Sequence, residues 1–182
     1  MSKLVKYSIV LTLCKVWDLY TTWLRTPDLS RELNPLVKYL GFGWTGMIVF
    51  QVLAVIITIL IVRRSLNSDS TLFPNLHGFS LLQFTPYLYF GKERSIWHLL
   101  YSTSTSFDRF LYFYGGILYF AEPLVHLIAG ANNLLLVLNP AYAIWLNTNL
   151  TLNLTIGVLI VLSLSFYNFL SREYKAYKLK VS

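Results

Sequence analysis

Apolar residues in this chain fall into runs long enough to cross a bilayer, separated by shorter stretches that carry most of the charge. A spanning helix needs roughly 20 mostly apolar residues to match a hydrocarbon core about 30 Å thick. Four runs meet that length and predict helices from Tyr7 to Leu24, Trp44 to Val62, Phe110 to Ala129 and Leu150 to Phe169. The stretch between the second and third, Arg63 to Arg109, is too long and too apolar for an ordinary loop. Its Phe79 to Phe90 portion is rich in Phe, Leu and Tyr, yet Gln83 and Pro86 interrupt it, and a span there would reverse the charge bias of everything downstream. Residues of about 70–106 are therefore expected to be interfacial or re-entrant, with Ile96 to Tyr101 as a short surface helix. Five spans is the topological alternative. The pattern as a whole predicts an all-α integral membrane bundle of about four transmembrane helices, forming a single transmembrane domain over 1–182 with a basic tail at 171–182.

Composition strengthens this picture and charge orients it. Of the 182 residues, 55% are hydrophobic and only 13% charged, so the lipid bilayer is the first expected partner. The formal charge of +7 raises the question of nucleic acid, but its distribution answers it. Lys3 and Lys6, then Arg63, Arg64, Lys92, Arg94 and Arg109, then Arg172, Lys175, Lys178 and Lys180 fall on one side of the predicted spans. The other side holds Arg25, Arg31 and Lys38, and its second connection holds no Lys or Arg. The positive-inside rule then predicts a multi-pass protein of the cell membrane with both termini cytoplasmic, and no nucleic-acid role. Lys15 and Asp18 break the first apolar run and no small-residue cleavage site follows, so the first helix is expected to be retained. Cys14 is the single cysteine and reads as a buried apolar thiol.

An internal repeat emerges from the polar positions. The first half has Asp18 and Thr22 on a helix, then Asn34-Pro35, then an apolar helix; the second has Glu122 and His126, then Asn139-Pro140, then another. The separations are 104 residues for Asp18 to Glu122, 104 for Thr22 to His126 and 105 for Asn34 to Asn139. Such spacing suggests two tandem parallel helical hairpins, about 6–62 and 110–170, against the plainer reading of two unrelated apolar hairpins. Each Asn-Pro pair has a local reason: Asn is a favoured N-cap and Pro is tolerated at the first helical position.

Ionisable residues within the spans carry most of the chemistry. On the first helix Ser8, Thr12, Lys15, Asp18, Thr22 and Arg25 form one stripe; on the third, Tyr112, Tyr119, Glu122, His126 and Asn133 form another. Each Lys or Asp near a helix centre costs about 2.5 to 3.5 kcal/mol to insert, so the stripes must face protein or water. The simplest pairings are Lys15 with Glu122 and Asp18 with His126, in the outer leaflet, closed from outside by Arg25, Glu32, Asn34 and Asn139. Three readings compete for that cluster. It sets helix register without chemistry; or it is a transport or ion-coupling site, since intramembrane carboxylates and histidine mark proton and substrate pathways; or Asp18, Glu122 and His126 bind a metal.

No cofactor is predicted, and no catalytic signature is present: the sequence contains no Gly-x-Ser-x-Gly, His-Glu-x-x-His or phosphate-cradling glycine loop. His77 and His98 read as interfacial, and Asp108 as a cap of the third helix. Two Asn-Leu-Thr sequons start at Asn149 and Asn153.

The stretch Asp18-Leu19-Tyr20-Thr21-Thr22, followed by Glu32-Leu33-Asn34-Pro35-Leu36, resembles a family of small archaeal and bacterial multi-spanning membrane proteins without an assigned function. The likeness runs from Lys6 to Val62, about a third of the chain, and implies a prokaryotic membrane protein. It supplies no activity, and the second half departs from the pattern with Glu122 and His126. The leading expectation is a small transporter-like or ion- or proton-coupled membrane protein. The alternatives are an accessory or assembly subunit of a larger membrane complex, or a homo-oligomer, built through its 13 tyrosines and 12 phenylalanines, and an intramembrane metal-dependent enzyme acting on lipid.

Overall fold

The computed structural model describes residues 1–30, 37, 39–67, 70–75, 78–104, 106–148 and 150–181. The fold is all-α, a helical membrane bundle, with six α-helices and no strand among the described residues. They are α1 (Lys3–Arg25), α2 (Trp44–Leu66), α3 (Leu81–Phe90), α4 (Phe107–Leu138), α5 (Pro140–Thr148) and α6 (Leu150–Val181), with 3-10 turns at Ser70–Leu72 and Ile96–Leu100. Three helices are both long and apolar enough to cross a membrane: α2, α4, and α6 from Ile156. The 23 residues of α1 give about 34 Å of helix at 1.5 Å per residue, sufficient length. Lys15 and Asp18 are what lower its apolarity.

The chain divides into two compact units. Unit 1 comprises Met1–Ile59 and Ala121–Val161; unit 2 comprises Leu60–Phe120 and Leu162–Ser182.

Within unit 1, α1 starts at Ser2, whose hydroxyl accepts the Val5 amide at 3.3 Å, and ends before Pro27 with Arg25 in its last turn, a favourable place for a cation. Its buried positions are Tyr7, Leu11, Lys15, Thr21 and Thr22. The inward seam therefore runs Tyr7–Leu11–Lys15–Thr22, whereas the expected stripe placed Ser8 and Thr12 on it. Thr12 is exposed, and Ser8 turns its hydroxyl onto the Leu4 carbonyl. The second Asn-Pro pair behaves as its chemistry dictates: Asn139 Oδ1 accepts the Tyr142 amide at 3.0 Å and Pro140 opens α5. The first pair, Asn34-Pro35, lies outside the described residues.

Unit 2 is built around an aromatic core in which Phe84, Tyr89, Tyr112, Phe113, Phe169 and Tyr177 are all buried. The 70–106 region belongs to it, which changes the expected picture. Helix α3 has 10 residues, about half of what a span needs, so a fifth span is excluded. One side of it is covered by protein, with Phe84, Thr85, Pro86, Leu88, Tyr89 and Phe90 buried, while Leu82 is exposed. Its rings dock on α4 and α6: Tyr89 meets Phe113 at 5.0 Å between centroids and Phe84 stacks on Tyr177 at 5.2 Å. A sequence window cannot distinguish an apolar helix that sinks into lipid headgroups from one covered by protein. The basic tail is helical through Val181, turning Glu173 and Tyr177 inward and leaving Lys175, Lys178 and Lys180 exposed. Asp108 does not cap α4; both of its oxygens engage the Arg64 guanidinium, and Ser106 accepts the Arg109 amide instead. Many of the aromatics expected on lateral surfaces are spent in this core.

Gly116 lets α4 and α6 approach closely, for the ring of Phe169 occupies the space a Cβ there would need. Gly157, by contrast, faces open space. Gly116→Ala should lower unfolding stability in detergent by about 1–3 kcal/mol, the usual cost of overpacking, while Gly157→Ala should leave it unchanged or slightly raised; parallel denaturant titrations of the two variants check both.

Candidate functional site

The site lies wholly in unit 1, between α1 and α4, which run parallel there. Asp18 pairs with His126 and Arg25 with Asn133, in both cases 108 positions apart. A constant offset over two turns means the helices stay in register. Trp17 helps set their separation: its indole fills the space where Gly130 would carry a Cβ, so only glycine allows that approach.

From Lys15 the polar groups form one continuous network. The Lys15 ammonium donates to Gln51 Oε1 of α2 at 3.0 Å and forms an ion pair with Glu122 Oε2 at 3.5 Å. Glu122 Oε2 lies 3.4 Å from His126 Nε2, the i to i+4 neighbour on the same helix face. The other ring nitrogen, Nδ1, is 2.7 Å from Asp18 Oδ2. Asn133 then donates from Nδ2 to Thr22 Oγ1 at 2.9 Å and to Asp18 Oδ1 at 3.5 Å, and accepts from Arg25 Nη1 at 3.1 Å. Lys15, Asp18, Thr22, Glu122, His126 and Arg25 are thus brought together.

Other expected participants are placed elsewhere. Asn139 does not close the cluster; its side chain is committed to the α5 cap. Glu32 and Asn34 lie outside the described residues, as do His77 and Asn149. Tyr112 leaves the stripe altogether, since its hydroxyl bonds Glu173 within unit 2. His98 is half-buried and bonds the Ser95 carbonyl at 3.2 Å. Asn153 Nδ2 is buried, which leaves no room for a glycan. Helix α4 runs on to Leu138, so Glu122 is the sixteenth of its 32 residues and stands at mid-helix.

The arrangement constrains protons more than metals. His126 meets a carboxylate through each nitrogen, and a neutral imidazole has only one N–H to donate. A ring protonated at both nitrogens can meet both carboxylates, whereas a neutral ring donates to only one of them. With the ring doubly protonated, Lys15, His126, Asp18 and Glu122 sum to zero charge, and Arg25 adds a positive charge farther along the network. Because the carboxylates address opposite edges of the ring, the three groups do not converge on one ion, and among the described residues no cluster of three metal-ligating side chains is found.

Beside the network is a cavity of about 490 Å³. Asp18, Thr22, Arg25 and Asn133 form its network side, Gln51, Asn132, Tyr142 and Asn153 complete the polar lining, and Met47, Val125, Ile128, Leu136, Leu146 and Val158 give it apolar walls. Lys15, Glu122 and His126 stand behind Asp18 and do not line it. The sequence stripes located Asp18 and Thr22 but missed Gln51, Asn132 and Tyr142. A lone amide on an otherwise apolar helix, such as Gln51 on α2, was the available signal.

Unit 2 holds a second polar contact that was not foreseen. Glu173 is buried, accepts the Tyr112 hydroxyl and pairs with Arg172 Nε at 2.7 Å, while that guanidinium lies over Tyr119, Phe120 and Phe169.

No protein-family model matches this chain, and neither a curated protein nor a solved structure matches it significantly.

Lys15 and Glu122 are mostly covered, their side chains 9% and 27% exposed. Glu122→Leu should therefore cost about 3 kcal/mol by stranding the ammonium. Adding Lys15→Met should restore more than half of it, a coupling that a double-mutant cycle of unfolding measures.

Proposed function

We propose that this chain is a small transporter-like membrane protein in which proton movement through Asp18, His126 and Glu122 is coupled to a solute held in the unit 1 cavity. One observation carries the reading: Asp18 belongs to two places at once, one oxygen on the His126 ring and the residue itself in the cavity wall. A proton leaving Asp18 for His126 changes the charge that a bound solute meets, and a solute that binds Asp18 or its neighbours changes where the proton rests. Differential interaction of that kind is what coupling requires. A purely register-setting cluster has no need of an adjoining cavity.

In this reading α1 is the fourth span, inserted because α4 neutralises Lys15 and Asp18. The excess of Lys and Arg near Lys3, Arg63 and the end of α6 puts both termini in the cytoplasm of a cell membrane. The site then reaches from mid-membrane at Glu122 toward the outer end of α1.

Purified protein in liposomes loaded with a pH-sensitive dye should dissipate an imposed proton gradient. Asp18→Asn and Glu122→Gln, both near-isosteric, should each reduce the rate at least tenfold while still eluting as folded protein. Rates equal to wild type in both variants, or wild-type liposomes no leakier than empty ones, would return the cluster to a structural role; co-purification with larger subunits would then identify an accessory protein.

A further inference from the structure

The cavity also indicates the chemistry of its occupant, an inference that rests on reading unit 1 as a solute site. We infer that it takes a small amphipathic molecule bearing an anionic acceptor group, a monocarboxylate with an apolar body, and discriminates against the corresponding ammonium.

Hydrogen-bond polarity carries the argument. Lysine and arginine only donate, so whatever amide meets them must turn its oxygen toward them. Lys15 takes the Gln51 oxygen and Arg25 takes the Asn133 oxygen. The Gln51 side-chain N–H₂ is thereby left at the cavity lining with no other partner among the described residues. Tyr142 donates to Asn132 Oδ1 at 2.6 Å, which leaves that amide's N–H₂ on the cavity side as well. Asn153 adds a third: its Nδ2 is buried and has no hydrogen-bond partner. On the acceptor side, Asp18 already meets His126 with one oxygen and Asn133 with the other, and the Thr22 hydroxyl oxygen accepts from Asn133.

Facing the space among the described residues is a set of amide N–H donors, with Arg25 in the same wall. Unmet buried donors are costly, and an anionic acceptor satisfies several at once with the stronger, charge-assisted bonds. An ammonium would bring three more donors and leave these amide N–H groups unmet. The apolar side of the cavity, with Met47, Ile128 and Leu146 among its residues, calls for a hydrocarbon or aromatic body, and a volume of about 490 Å³ is in the range of small-molecule sites.

The probes are 4-phenylbutyrate and 4-phenylbutylammonium, which share a skeleton and differ in charge, titrated into the full chain in nanodiscs of zwitterionic lipid with empty nanodiscs as the blank. The carboxylate should bind at least tenfold more tightly than the amine. Asn153→Asp and Gln51→Glu, each replacing a donor by an acceptor in the same volume, should weaken it at least tenfold. Amine binding as tight as or tighter than the carboxylate, or no binding of either above the blank, overturns the inference. Absent binding alongside Asp18-dependent proton flux removes only the ligand class; carboxylate binding without proton flux upholds the site and removes the coupling.

Discussion

Lys15 and Asp18 stand one turn apart on a helix whose remaining side chains ask for lipid, and no hydrocarbon solvates either charge. Inserting the pair alone costs about as much as the apolar residues of the first span return. The helix is stable in such a medium only if a second helix presents opposite charge at the same height. Helix α4 does so with Glu122 and His126, and most of what distinguishes unit 1 follows. The parallel register of the two helices, the close approach of Trp17 to Gly130, and the Arg25–Asn133 contact two turns farther along all keep the four charged groups within reach of one another.

Neutralisation of this kind rarely leaves every valence filled. Two cations and two carboxylates can cancel in charge while their hydrogen-bonding capacities remain unequal, and the surplus must go somewhere. Here the surplus consists of amide N–H groups, because lysine and arginine each claim an amide oxygen. The residues that carry it line the cavity of unit 1. Ion pairing between α1 and α4 and the amide groups turned away from the two cations are thus consequences of the same constraint.

Unit 2 solves a different problem by different means. Its cohesion comes from interlocked rings, with glycine at the tightest helix crossing and arginines laid over aromatic faces. Aromatic packing tolerates one buried carboxylate, Glu173, because a tyrosine hydroxyl and a neighbouring guanidinium satisfy its oxygens.

The sequence alone determined the helical membrane class, since runs of about 20 apolar residues have no other stable solvent. It also determined the Lys15–Glu122 and Asp18–His126 pairings, because charges at helical spacing in apolar runs have few places to go. Asn139-Pro140 declared a helix start through local bonds that need no distant partner. Tertiary structure decided the rest. Whether 70–106 lies on a membrane or inside protein depends on what covers Phe84 and Leu88, and those rings come from residues far along the chain. That Tyr112 serves Glu173 rather than the α1 cluster, that Gln51 belongs to the site, and that a cavity opens beside Asp18 all depend on how three or more helices meet, which pairwise periodicity does not encode.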